Sequence, residues 1–296
     1  MKVPFTKMHG LGNDFILIDC RHLKLDNLPE LSKILCHRRF GVGADQMLLL
    51  FDSQDADFMM RIFNADGSEV EMCGNGIRCL AKYIWARNIS DKKILSIATP
   101  AGIIRPEKAG DLVKVDMGEP VFEPEKIPVN ISQQSTVNSQ QSNPFLPPFS
   151  KGGRGRVIDY PLQIEDSEFR ITCVSMGNPH AVIFVENLSQ FPVPYYGTRI
   201  ENHSLFPKKT NVEFVVVLTP KEISMRVWER GSGETMACGT GASAAAVASN
   251  IKGLTEKEVT VHLLGGDLFI EWSRDNHIYM TGPAVEVFEG EFEINS

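Results

Sequence analysis

No stretch of this 296-residue sequence approaches the roughly 20 apolar residues a membrane helix needs. A basic run is missing too: 30 Lys and Arg stand against 37 Asp and Glu, and a net charge of −7 gives no footprint for nucleic acid. The first residues, Met1-Lys-Val-Pro-Phe-Thr-Lys7, lack the apolar core of an export signal and read as the start of a strand. Cys20, Cys36, Cys73, Cys79, Cys173 and Cys238 lack the short spacings of a metal site or a disulfide scaffold. They read as reduced thiols, which points to a cytoplasmic protein with no metal and no nucleic-acid or membrane partner. What is present, 43% hydrophobic and 23% charged residues, is an ordinary globular composition on a chain long enough for two domains.

The informative content is a repeat. Met60-Arg-Ile-Phe-Asn64-Ala-Asp-Gly-Ser-Glu69-Val-Glu-Met-Cys73-Gly-Asn-Gly76 aligns without a gap on Met225-Arg-Val-Trp-Glu229-Arg-Gly-Ser-Gly-Glu234-Thr-Met-Ala-Cys238-Gly-Thr-Gly241. The step from Cys73 to Cys238 sets one offset. Two further blocks share it: Gly12-Asn13 falls on Gly177-Asn178, and Gln46 on Asn211, each opening an apolar strand. Three blocks at one offset indicate an internal duplication.

Apolar runs bounded by turn residues predict strands at 15–20, 46–51, 58–63, 94–98, 102–105 and 112–116. A short helix is expected from Pro29 to Arg38, with Leu31, Ile34 and Leu35 inward. Ile77, Leu80, Ala81, Ile84 and Trp85 recur at helical spacing, so Cys73 stands at the start of a helix. In the second half, strands are predicted at 157–164, 168–174, 181–185, 212–218, 223–228, 259–263, 267–272 and 277–281. Ala242–Ser249 follows Cys238-Gly-Thr-Gly and has almost no polar face, as in a helix buried at a domain centre. Between them, about 130–156 is rich in Gln, Ser, Asn, Pro and Gly and reads as a mobile surface insertion.

A cysteine followed by Gly-x-Gly and a helix sits among unpaired backbone N–H groups, which favour a thiolate and can also hold a carboxylate. A free thiol of pKa about 8.5 is only a few per cent ionised at pH 7. Lowering it to 7 takes roughly 2 kcal/mol, the upper limit of a helix terminus. One thiolate and one thiol can therefore coexist, as a general acid–base pair requires. Two such cysteines on opposite sides of a carbon would invert it, the chemistry of a two-base racemase. Other uses of the same residues stay open. The cysteines could form a disulfide, Gly-x-Gly could be only a tight turn, His180 a satisfied polar residue, and Asn13, Asn64 and Asn178 caps. Glu229-Arg230 could be a solvated ion pair. Cys20, Cys36, Cys79 and Cys173 read as core fillers.

The motifs Lys7-Met-His-Gly-Leu-Gly-Asn13-Asp-Phe, Arg39-Phe-Gly-Val-Gly-Ala-Asp45-Gln46, Asn64-Ala-Asp-Gly-Ser-Glu, Cys73-Gly-Asn-Gly-Ile-Arg78-Cys, Met176-Gly-Asn178-Pro-His180, Glu229-Arg230-Gly-Ser-Gly-Glu-Thr and Ala237-Cys238-Gly-Thr-Gly resemble the diaminopimelate epimerases. The resemblance spans all but the polar insertion. It implies a cofactor-free isomerase that interconverts LL- and meso-2,6-diaminopimelate in lysine and peptidoglycan-precursor biosynthesis. By position, Cys73 and Cys238 would be the acid/base thiols, tuned by His180 and Glu229. Gly74-Asn75 and Gly239-Thr240 would hold the reacting carboxylate. Asn64, Asn178, Asn211 and Arg230 would read the distal end, Glu229 would accept from its ammonium, and Asn13 and Gln46 would touch substrate.

The implied fold is α/β of the α+β type. Two pseudo-symmetric domains, each a mainly antiparallel sheet wrapped around a central helix, would place the active site in a cleft between them. The expected boundaries are 1–120 with 284–296, and 121–283. A homodimer is implied, although Phe288 stands where many relatives have tyrosine. The alternatives are a proline or hydroxyproline racemase, whose small ring would not need that polar set, and a non-catalytic binding protein of the same fold.

Overall fold

The computed structural model describes residues 1–130 and 156–293, so nearly all of the polar segment at about 130–156 lies outside the described residues. The described chain divides into two compact units, Met1–Asp116 with Met280–Ser296, and Met117–Tyr279.

The first unit begins β1 (Lys2–Gly10), β2 (Asn13–Asp19), α1 (Leu28–Cys36), β3 (Gln46–Asp52), β4 (Phe58–Asn64), β5 (Glu69–Val70) and α2 (Gly74–Ala86). It continues through β6 (Ile97–Thr99), β7 (Gly102–Ile104), β8 (Glu107–Ala109) and β9 (Leu112–Asp116). The second unit holds β10 (Tyr160–Ile164), β11 (Ser167–Ser175), β12 (Pro179–Phe184), α3 (Val193–Glu201), β13 (Asn211–Thr219), β14 (Glu222–Glu229), β15 (Gly233–Thr235) and α4 (Gly239–Ile251). After β16 (Glu258–Leu263) and β17 (Gly266–Trp272), β18 (Ile278–Gly282) leads back to the first unit, which β19 (Val285–Glu293) completes.

The sheet of the first unit runs β19-β1-β2-β3-β4-β6-β7. Most neighbours are antiparallel, but β2 and β3 are parallel, and α1 supplies the crossover such a pair requires. Alternate residues of β3 bury on opposite faces. Met47 and Leu49 join Leu31, Leu35 and Cys36 of α1, while Leu48 lies under the start of α2. Burial on both faces explains the unbroken apolar run at Gln46–Phe51. In the second unit β12 and β13 are likewise parallel with α3 as the crossover, as β4–β6 and β14–β16 are parallel across α2 and α4; Val212 and Phe214 of β13 pack with Val193 and Ile200 of α3. Helix α4 buries Ala242, Ala244, Ala245, Val247 and Ala248 almost completely, as its lack of a polar face requires.

The offset seen at three blocks holds from β1 to β7. It carries α1 onto α3, α2 onto α4 and β1 onto β11, with identical lengths in each pair. Register agrees as well: Phe15 pairs with Gln46 as His180 pairs with Asn211, the same positions in the two units.

Several local expectations are corrected. Ile34 is 43% exposed, because Leu31, Ser32, Leu35 and Cys36 form the inner stripe of α1. Ile94 forms only an isolated bridge to Glu107, and the strand starts at Ile97. Strand β10 begins at Tyr160 rather than at residue 157, since Asp159 takes a left-handed φ of 54°. Periodicity gives no signal for helix α3 or strand β19.

Candidate active site

Both singled-out cysteines are helix N-caps held in extended backbone. Cys73 has φ −140° and ψ 116° at the head of α2; Cys238 has φ −126° and ψ 114° at the head of α4. The preceding strand pairs (β4 with β5, β14 with β15) deliver each chain to the same turn. A cysteine then stands where Ser, Thr or Asp is usual at such a cap.

In the first unit β2 and β3 begin, and antiparallel β4 ends, at one end of the sheet, which gathers Asn13, Gln46 and Asn64 beside the start of α2. The Gly76 N–H faces Cys73 Sγ at 3.5 Å, and the sulfur lies 3.7 Å from Asn13 Oδ1. Asn75 Nδ2 donates to the same oxygen at 3.2 Å. Gln46 Nε2 donates to Asn64 Oδ1 at 2.8 Å, and Asn64 Nδ2 to Ser68 Oγ at 2.9 Å. Asn13 is in turn fixed by Asp45, which accepts from Asn13 Nδ2 at 2.9 Å. Arg38 donates to both Asp45 and Asp14, and Lys7 to Asp14. Burial works against the Asp14 charge, but the hydrogen bonds from Arg38 and Lys7 outweigh it and hold the carboxyl at about 2.

In the second unit Asn178, His180, Asn211, Glu229 and Arg230 gather at the corresponding end. His180 is fully buried; Nδ1 meets Glu213 Oε1 at 2.7 Å and Nε2 meets Asn178 Oδ1 at 2.9 Å. Asn178 Nδ2 donates to Thr240 Oγ1 at 3.3 Å, and that hydroxyl stands 3.4 Å from Cys238 Sγ. Asn211 Oδ1 accepts from the Arg230 backbone N–H at 2.9 Å. The Arg230 side chain is exposed and donates to Lys208 O at 3.3 Å. The turn behind it is anchored by Glu201, whose carboxylate accepts from Trp228 Nε1, the Gly231 N–H and Lys209.

Electrostatics at the second sulfur are unfavourable to charge. Burial pushes the Cys238 thiol well up, and the Glu229 and Glu213 carboxylates push it further; Thr240 and the Gly241 N–H oppose them. Burial likewise raises Glu229, against hydrogen bonds from Thr235 and Cys238. The remaining cysteines are buried and hard to ionise. Burial lifts Cys20 and Cys79 to about 12, and raises Cys36 and Cys173. Among the described residues no His, Cys, Asp and Glu cluster of three or more could hold a metal ion. No helix among them is long and apolar enough to cross a membrane.

Each unit thus sets one thiol at the start of a matching helix, beside a group of amide side chains. The family model described as diaminopimelate epimerase matches residues 5–123 and 172–287. The chain belongs to the diaminopimelate epimerase family. It is 49% identical to the diaminopimelate epimerase of Acetivibrio thermocellus, with 98% of this chain and 99% of the relative covered. Identity to that of Pelotomaculum thermopropionicum is 52%, over 97% and 98%. Among solved structures, a PhzF-family phenazine biosynthesis protein of Bacillus anthracis superposes with a TM-score of 0.70 at 17% identity, covering 99% of this chain and 100% of that one. A hydroxyproline epimerase from Agrobacterium vitis superposes at 0.66 and 13% identity, over 98% and 91%. These two likenesses establish a shared fold.

Within this epimerase fold, motif reading passes over Glu213 and gives Arg78 no role. Both carry a signal: Glu213 is a lone charge inside the apolar run Val212–Leu218, and Arg78 lies on the buried side of α2.

Proposed function

We propose that Cys73 and Cys238 carry out the family's reaction as a thiol/thiolate pair, one removing the α-proton and the other returning a proton to the opposite face. The reaction is the cofactor-independent interconversion of LL- and meso-2,6-diaminopimelate, which feeds lysine and peptidoglycan-precursor synthesis. Family membership carries the reaction. The shared N-cap geometry of the two cysteines supports the division of labour.

In this reading the helix-start N–H groups at Gly74-Asn75 and Gly239-Thr240 take the reacting carboxylate and stabilise the enolate-like charge that builds on it. The exposed guanidinium of Arg230, with Asn64, Asn178 and Asn211, takes the distal carboxylate, and Glu229 accepts from the distal ammonium. Asn13 and Gln46 line the substrate and keep Cys73 and Asn64 in place. Glu229 keeps the proton on Cys238 available, and His180 acts through Asn178. That polar set suits a substrate with a second amino-acid end better than a proline ring. We further assign the chain to the cytoplasm and to a homodimer, with the exposed Val285, Val287 and Phe288 of β19 as the contact.

The test is turnover of LL-diaminopimelate by the purified chain, beside L-proline and trans-4-hydroxy-L-proline. Conversion of the first alone is expected; racemisation of a proline without turnover of diaminopimelate would overturn the reading.

A further inference from the structure

At two buried positions the duplicated plan carries opposite charge. In the first unit the β3 residue beneath the start of α2 is Leu48; a Cβ on Gly76 would lie 3.1 Å from its Cδ2. Little more than a turn beyond Cys73 stands Arg78, fully buried. Its Nη1 donates to Gly74 O at 3.2 Å and approaches Met280 Sδ at 3.6 Å, and its Nε donates to Pro283 O at 3.1 Å. Nη2 has no acceptor among the described residues, and every acceptor the guanidinium reaches is neutral.

At the matching place in the second unit, the helix position is Ser243, whose hydroxyl donates to Gly239 O at 2.9 Å, as Arg78 donates to Gly74 O. The strand position is Glu213, also fully buried. A Cβ on Gly241 would stand 2.8 Å from Glu213 Oε1 and 3.4 Å from Cys238 Sγ, so carboxylate and sulfur flank one helix turn. Glu213 Oε2 has no partner among the described residues.

We propose that the resting enzyme carries its thiolate on Cys73 and its proton on Cys238, and that Arg78 and Glu213 act as positioning residues that set this preference. The inference rests on the two-thiol reading above. A guanidinium cannot shed its proton, so Arg78 is a permanent cation whose charge acts on Cys73 and Cys79, and Cys79 resists ionisation. A nearby opposite charge favours the ionised form by roughly one to three pH units, and a like charge disfavours it.

Most charges on the elements packed against α2 are matched, with Asp52 of β3 and Glu293 of β19 as the exceptions. Lys7 pairs with Asp14, Arg61 with Glu69, and Arg87 with Glu286 and Glu289; β9 brings one of each sign, Lys114 and Asp116. Around α4, Arg226 is taken by Glu234, Arg170 by Glu168 and His262 by Asp267, with Glu258 and Glu271 on β16 and β17. His180 meets Glu213, leaving Glu229 beside the sulfur. Among the described residues each of these cations has a carboxylate, whereas Arg78 has none.

The test needs no substrate. Iodoacetamide alkylation of the intact, substrate-free enzyme, followed peptide by peptide by mass spectrometry across pH, gives a midpoint for each cysteine whatever its accessibility. The Cys73 midpoint is expected at least about one unit below that of Cys238. Arg78→Met should raise the Cys73 midpoint by roughly one to three units, Arg78→Lys should restore most of that, and Glu213→Gln should lower the Cys238 midpoint. A purely structural role would change rates at every pH and leave the midpoints in place. Coincident or reversed wild-type midpoints would overturn the proposal, as would midpoints that stay unmoved in both Arg78→Met and Glu213→Gln. If Arg78→Met does not fold, the wild-type order and Glu213→Gln decide. Separate midpoints without diaminopimelate turnover would fail only the function; turnover with coincident midpoints would fail only this inference.

Discussion

The first and second units keep matching elements at one offset while most of their side chains differ, and a handful of those differences lie near the two sulfurs. From β1 against β11 to α2 against α4, helices and strands correspond at a constant offset. The sulfur-bearing N-caps are nearly alike in φ, −140° against −126°. Against that constancy, Asn64 corresponds to Glu229, Ala65 to Arg230, Leu48 to Glu213, Arg78 to Ser243 and Ser32 to Gly197. The frame serves what the two halves share, a thiol at a helix start. In the proposed reaction, the exchanges nearest the sulfurs orient an asymmetric substrate and locate one proton.

The largest expected effect breaks what is common. Cys73→Ala and Cys238→Ala should each lower kcat by on the order of a thousandfold or more, the scale of a general acid or base, read in an LL-diaminopimelate assay. A variant of either that retained normal turnover would end the two-thiol account.

A smaller effect sharpens the difference. Arg230→Met should cut kcat/KM by roughly 10- to 100-fold, mainly through KM, because a charge-assisted bond to the distal carboxylate is lost. Ala65→Ser at the matching position of the first unit should change kcat/KM less than about twofold. Equal effects at both positions would remove the basis for orienting the substrate.

Packing offers a third contrast. A Cβ on Gly197 would lie 2.5 Å from the Trp228 ring, whereas Ser32 in its place on α1 donates to Asn64 O at 2.8 Å. Gly197→Ala should therefore destabilise by about 2–3 kcal/mol through overpacking, and Ser32→Ala by about 1 kcal/mol through a lost hydrogen bond, as urea midpoints would show.

The smallest effect concerns pH. Asp14 in the first unit sits at about 2 against an ordinary 3.8, so it contributes stability above about pH 4 that is lost as pH falls toward 2. Glu229 in the second unit is raised, so its contribution is present at low pH and lost as pH rises through its folded value. Asp14→Asn should flatten the acid limb of the urea midpoint against pH, while Glu229→Gln leaves that limb in place and flattens the less acidic side.

Much of this is legible in residues. Most strands of both sheets, though not the short β5, β8 and β15, the helix after each cysteine and the duplication follow from periodicity and one repeated block. Helix α3 is hidden because Val193-Pro-Tyr-Tyr-Gly197 carries turn-like residues. Its existence nonetheless follows from α1, which has proline at the matching Pro29. Strand β19 alternates glutamates with residues left exposed, so burial leaves no period to read. The motifs name the residues that gather at each helix start, but not the electrostatics there. Glu213 and Arg78 matter through depth, and depth comes from how β13 and α2 pack, which spacing along a chain does not carry.

The central claim, that two different thiols serve the two faces of one carbon, is met most directly by running the reaction in deuterated water from each isomer separately. At early times the product should carry solvent deuterium at the inverted carbon while the remaining substrate stays largely unlabelled, from both directions. Equal early labelling of the substrate and product pools would mean that a single base serves both faces, and would contradict the account.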